Sequence, residues 1–220
     1  MTISPWTTAT VVTFWFAASL GLGAAGAFET PPGGYPWAVL AAILLPLVVY
    51  ALDGRKVAGP LFGGIRSLSL PTLVALQVWR VGGLFFLIEW GRGHLPAGFA
   101  LPAGLGDIAI GLTAPLVAAR VARKPGDARR LLVGWSLAGL ADLVLAVTAG
   151  VTHSRTPLGI LAGALSSDRI ARYPLSIVPT FLVPLAVILH IRALHLATVS
   201  SGTTRPLRSS RAAHPAPGTT

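Results

Sequence analysis

The stretch LSLPTLVALQVWRVGGLFFLIEW, residues 68–90, decides the architecture, and it carries only two formal charges, Arg80 near its middle and Glu89 beside its end. A helix needs about 20 mostly apolar residues to cross roughly 30 Å of hydrocarbon at about 1.5 Å per residue, and this stretch is long enough. Five other windows read the same way. They run from Thr8 to Ala27, Tyr35 to Leu52, Gly98 to Ala119, Leu131 to Gly150 and Pro174 to Leu194. The expected fold is all-α: a polytopic bundle of six spanning helices over residues 1–199, with both termini on one side. Residues 200–220, rich in Ser, Thr, Pro and Arg, read as a disordered basic tail.

Composition excludes the other broad classes. Of 220 residues, 53% are hydrophobic and 11% charged, and the mean hydropathy is +0.72. Soluble domains carry roughly 25% charged residues, so this chain cannot cover a globular surface with water-compatible side chains. The same numbers exclude disorder, and the absence of cysteine excludes a disulfide framework, thiolate metal ligands and cysteine catalysis.

The net charge of +10 invites a nucleic-acid reading, but its distribution argues for a lipid one. Twelve of the 17 basic residues fall on the side shared by the termini: in the connection between spans two and three (Arg55, Lys56, Arg66), between four and five (Arg120 to Arg130), and from Arg192 onward. Arg92, Arg155, Arg169 and Arg172 fall on the other side, and Arg80 lies inside a span. By the positive-inside rule both termini face the cytoplasm, where anionic headgroups are the expected neighbours. No nucleic-acid-binding motif accompanies the charge. Tyr35, Trp37, Trp90 and Tyr173 fall at expected outer interfaces, and Trp6 and Tyr50 at inner ones, as amphipathic rings prefer.

Three features leave alternatives open. Ala25-Gly26-Ala27 has the small residues of a signal cleavage site, but no Lys or Arg precedes an apolar run long enough to span. The outer segment from Val151 to Tyr173 is either a short interfacial helix over Pro157 to Ile170 or a loop with apolar positions. Leu70-Pro71-Thr72 and Val178-Pro179-Thr180 hold similar places in spans three and six, as an inverted repeat would have them.

The informative residues are the polar ones that should not be there. Measured from the window centres, Arg80, Asp107 and Asp142 share one level within about 2–3 Å, on three consecutive helices. An unpaired charge at mid-bilayer costs about 2.5–3.5 kcal/mol on insertion scales, so these groups must turn inward and pair. One guanidinium offers a fork of donors to two carboxylates. One excess negative charge remains, which a proton or a bound cation must balance. Gln77, three residues before Arg80, faces the same side. Glycines flank all three charges (Gly82, Gly83, Gly104, Gly106, Gly111, Gly134, Gly139), which suits close helix packing. Pro102 and Pro115 raise a second expectation, that span four is broken beside Asp107 and exposes carbonyls there.

Glu89, His94 and His190 form a secondary set of polar candidates. His190 is the one histidine inside the windows, roughly 9 Å to the cytoplasmic side of its window centre. No facing histidine at matched depth would complete a haem site, and neither a cofactor nor a metal is expected. The chain has no phosphate loop, nucleophile elbow, zinc-protease motif or dinucleotide fingerprint. Gly104-Leu105-Gly106-Asp107 resembles the Gly-x-Gly-Asp motif of intramembrane aspartyl proteases, but Ala141 precedes Asp142 where that family has tyrosine.

The segment from Arg80-Val81-Gly82-Gly83 through Gly93-His94-Leu95-Pro96-Ala97-Gly98-Phe99-Ala100-Leu101-Pro102-Ala103-Gly104-Leu105-Gly106-Asp107 resembles uncharacterised multi-span bacterial membrane proteins. The resemblance covers about a third of the chain. It implies a bacterial plasma-membrane setting and no assigned activity. Two functional expectations follow from the residues. In the first, the chain is a small proton-linked transporter or permease: Arg80 anchors an anionic group, and Asp107 or Asp142 exchanges a proton. In the second it is a non-enzymatic scaffold or assembly subunit, docked to itself or to another membrane protein, whose polar cluster is structural.

Overall fold

A computed structural model describes residues 5–54 and 61–199. The proposed tail at 200–220, and Arg55 and Lys56, lie outside the described residues. The described residues are helical, with no strand among them, and six stretches are long and apolar enough to cross a membrane. In order these are α1 (Pro5–Ala24), α2 (Trp37–Gly54), a composite third span, α6 (Ala97–Arg123), α7 (Pro125–Thr152) and a sixth span. The third span joins α4 (Leu70–Ala75), a 3₁₀ segment (Leu76–Gly83) and α5 (Leu84–Gly91), and the short helix α3 (Gly63–Ser67) precedes it. The sixth opens with a π-helical turn, Val178–Leu182, and continues as α8 (Val183–Val199).

Spans three to six form a closed ring. The third packs on α6, α6 on α7, α7 on α8, and α8 back on α4, while α2 leans on α8 and α1 on α3. The end that holds Pro5 and Val199 is called here the termini end, and the opposite one the distal end. Apolar side chains face outward along the bundle, with Phe14, Leu45, Leu112, Leu116, Leu137 and Val144 all exposed. That is the surface a bilayer would cover. Inside the ring, one apolar core sits at the termini end (Val74, Ala114, Val121, Leu132) and another at the distal end (Phe86, Leu95, Phe99, Ala149).

Local chemistry explains several boundaries. Gly26 and Gly93 adopt φ of +74° and +72°, a left-handed conformation that suits glycine. Each ends a helix in a Schellman motif: Ala27 N–H donates to Leu22 O and Gly26 N–H to Gly23 O, and likewise His94 to Glu89 O and Gly93 to Trp90 O. Ala25-Gly26-Ala27 is thus a helix cap. Pro71 and Pro179 both lie in the first turn of their helices, where a missing N–H costs nothing. That preference accounts for the two similar tripeptides without a duplication.

Two readings that the sequence leaves open are decided by the structure. Residues 157–166 form no helix; the segment from Ser154 to Ser166 is turns and bends, followed by a single 3₁₀ turn at Ser167–Ala171. Pro157, Gly159 and Gly163 break the apolar spacing there. Span four is not broken: α6 runs without interruption through Pro102 and Pro115. The irregular backbone is in span three instead, at Arg80 itself. A 3₁₀ helix has three residues per turn, so positions three apart eclipse. Gln77, Arg80 and Gly83 therefore point the same way, and they are the buried residues of that segment.

Candidate functional site

Arg80 sits at the middle of the third span, fully buried. Its Nε–H donates to Asp107 Oδ1 of α6 at 2.7 Å, and Nη2 donates to Asp142 Oδ2 of α7. Nη1 faces Gly139 O at 3.4 Å and His190 Nε2 of α8 at 3.2 Å. One guanidinium thus joins the other three helices of the ring. Its N–H groups can only donate, so His190 Nε2 accepts and the ring proton belongs on Nδ1.

The glycines beside the cluster let the four backbones come this close. A Cβ on Gly106 would strike the Asp142 carboxylate, and one on Gly139 would strike the His190 ring. Gly111 lies directly against the Arg80–Val81 backbone, and Gly83 against Gly104 O at 2.9 Å from where its Cβ would be. Any side chain at these four positions would push a helix off the cluster.

Of the residues singled out from sequence, Arg80, Asp107 and Asp142 come together. Gln77 does not join them; its Nε2 donates to Ala186 O of α8 at 3.1 Å. His190 does join them. The π turn starts the last helix at Val178 rather than Pro174 and the span continues to Val199, which moves its midpoint about four residues towards His190. The histidine then lies only about 2 Å from mid-span. Glu89 and His94 form a separate cluster at the distal rim. The Glu89 carboxylate takes His94 Nδ1 at 3.0 Å, Arg169 Nε at 3.1 Å and Arg92 Nη1 at 3.3 Å.

Asp53 was not singled out, and it is buried at the termini end. It pairs with Arg66 at 3.1 Å and accepts N–H groups from Leu61 at 2.7 Å and Phe62 at 3.2 Å. Its role is to hold the start of α3 against the end of α2. An acid at the end of an apolar run looks like an interfacial residue, so nothing in the sequence set it apart.

A pocket opens beside the cluster. It is a partly open cavity of about 110 Å³ between α2, α6, α7 and the start of the sixth span. Its mouth is formed by Thr30, Ser154, Thr156, Ser167 and Asp168, and Asp107 is the one charged residue below that mouth. Asp107 is ten residues into α6, so the pocket reaches about 15 Å down from the distal end. Arg80 does not line it. Nε, Nη1 and Nη2 of Arg80 each meet a protein acceptor, Asp107, Gly139 O with His190, and Asp142 in turn. An aspartyl-protease reading fails on the same geometry. Such a dyad shares a proton or water between its carboxylates, whereas here a guanidinium bridges them.

On the termini side of Arg80 three polar atoms, Gln77 Oε1, Ser136 Oγ and His190 Nδ1, are buried without a partner among the described residues. Each is an unmet hydrogen-bonding capacity in a low-dielectric interior.

Six spanning-length apolar helices with a charge cluster at mid-height define a multi-pass helical bundle with a polar centre. The chain belongs to the family described as a domain of unknown function (DUF8737), whose model matches residues 38–198. That range holds every residue of the cluster. The curated proteins and the solved structures contain no match to the chain.

Proposed function

We propose that this chain is a small proton-linked transporter of the plasma membrane, with both termini in the cytoplasm and the pocket open to the outside. The arginine- and alanine-rich, lysine-poor composition suits a bacterial membrane, and the basic residues Arg66, Arg120, Arg123, Lys124 and Arg192 at the termini end suit a cytoplasmic face. The observation that carries the reading is Asp107, a carboxylate that both pairs with a buried arginine and forms the floor of a pocket. Ionisable residues at membrane depth that meet a cavity mark ion and substrate paths.

Three layers support a transport cycle. The distal pocket gives entry, the Arg80 cluster gives a site with one excess negative charge, and the apolar core from Val74 to Leu132 closes the termini side. The unpartnered atoms of Gln77, Ser136 and His190 fall within that closed half, where a second conformation would bring water to them. The irregular helices at Arg80 and at Val178 are the elements suited to move, since 3₁₀ and π segments have weaker backbone bonding than an α-helix.

The test is proton flux and substrate uptake in proteoliposomes for Asp107→Asn and Asp142→Asn. The reading predicts folded variants with coupling lost. Wild-type protein that moves no protons in either direction would refute it. The structural alternative, in which the cluster only locks helices together, is favoured by the full burial of Arg80 and its close packing against Gly111 and Gly139. It predicts that both variants lose stability and that neither changes any flux.

A further inference from the structure

The pocket says what kind of molecule reaches Asp107. None of its lining residues is a lysine, arginine or histidine, while two are acids, Asp107 at the floor and Asp168 at the mouth. Asp168 is the weaker of the two: Oδ1 accepts the Arg155 N–H at 2.9 Å and Oδ2 the Ser166 hydroxyl at 2.9 Å. Asp107 is different. Oδ1 takes the Arg80 bond, and Oδ2 has no hydrogen-bond partner among the described residues, although the side chain is only 14% exposed. A carboxylate taken out of water needs its remaining lone pairs filled.

Between the two acids the wall is apolar. Phe86 and Phe99 meet edge to face at 5.5 Å between ring centroids, and both line the pocket with Ile43, Leu143 and Val147. Aromatic faces attract cations as well as hydrocarbon. Anions are disfavoured twice over, by the excess negative charge of the cluster and by the absence of any free donor cation. A bare inorganic cation would leave the greasy wall unused, and its hydration shell would be costly to remove there.

We propose that the pocket binds organic ammonium ions: molecules with an apolar body that lies against Phe86, Phe99 and Val147 and a cationic nitrogen that donates to Asp107 Oδ2. This rests on the reading of Asp107 as a transport residue only for what happens after binding. The cation supplies the charge that the cluster lacks, so ligand and proton compete for one carboxylate. That competition is the coupling that exchange of a proton for an organic cation requires.

The experiment compares 4-phenylbutylammonium with the neutral 4-phenylbutanol, titrated against the full chain in lipid nanodiscs and corrected with empty discs. Wild-type protein is expected to bind the ammonium at least tenfold more tightly than the alcohol. Asp107→Asn removes that preference. Ala146→Phe fills the pocket from α7 and abolishes binding of both, and Val39→Trp does so from α2, with no change to Arg80, Asp107 or Asp142 themselves. Equal affinity of wild type for ammonium and alcohol, or unchanged ammonium binding in both filled variants, would overturn the proposal. Proteoliposome flux separates this from the transport reading. Asp107-dependent proton flux without ammonium preference leaves the transporter and removes the ligand class; ammonium preference without flux leaves the ligand class and removes the transporter.

Discussion

Two charge clusters in this bundle are near inversions of each other. At mid-height one cation, Arg80, serves two carboxylates and is wholly buried. At the distal rim one carboxylate, Glu89, serves Arg92, His94 and Arg169, whose side chains are 62%, 43% and 50% exposed. In the rim cluster the surplus charge belongs to groups that reach solvent and are hydrated there. In the middle cluster the surplus is negative, held between helices, and has only the pocket to answer it. Depth, more than the number of bonds, separates a cluster that tolerates change from one that does not.

Removing the central cation breaks this contrast most severely. Arg80→Met leaves two largely buried carboxylates without their cation, and loss of one member of a buried pair costs about 3–5 kcal/mol. The yield of monodisperse protein and its thermal unfolding in detergent should both collapse. The triple variant Arg80→Met, Asp107→Asn, Asp142→Asn should recover most of that loss, because the penalty is unbalanced charge. If it stays as unstable as the single variant, packing of the arginine stem is what matters.

Gly139→Val comes next. Its side chain enters the space of the His190 ring and the Arg80 guanidinium, and overpacking of this kind costs about 1–3 kcal/mol. Thermal unfolding reads it directly. Asp107→Asn and Asp142→Asn each leave Arg80 one neutralising partner, so each should cost only about 1.5–3 kcal/mol, the scale of one hydrogen bond to a charged group. A loss as large as that of Arg80→Met would contradict the charge count. At the rim, Arg92→Ala should change stability by less than about 0.5 kcal/mol, since exposed ion pairs contribute little.

Much of this was legible in the sequence, and the reason is physical. Apolar length fixed the six spans, because hydrocarbon thickness admits few alternatives. The cost of charge in lipid requires Arg80, Asp107 and Asp142, at one depth on consecutive helices, to meet. The depth of His190 is not legible in the sequence, because an apolar window that opens at Pro174 has its centre too early, whereas the π turn begins the helix later. Pro102 and Pro115 leave span four continuous, since a proline can sit in a membrane helix without ending it. The true irregularity shows in the burial along span three. Val74, Gln77, Arg80, Gly83, Phe86 and Glu89 are buried at every third position, a spacing that drifts around an α-helix and holds one face in a 3₁₀ helix. Asp53 and the pocket gave no sign in the sequence, because both depend on contacts between residues far apart in the chain.

The most direct measurement uses the absence of cysteine from the chain. Val147→Cys places one thiol on the pocket wall, and Leu132→Cys places one in the closed core nearer the termini. A membrane-impermeant thiol reagent is applied to intact vesicles from the side of the distal loops. Modification of the thiol at 147, slowed by 4-phenylbutylammonium, with none at 132, is the predicted result. Equal inertness at both positions would mean that water does not reach the wall above Asp107, and the buried charges would then be a brace between helices.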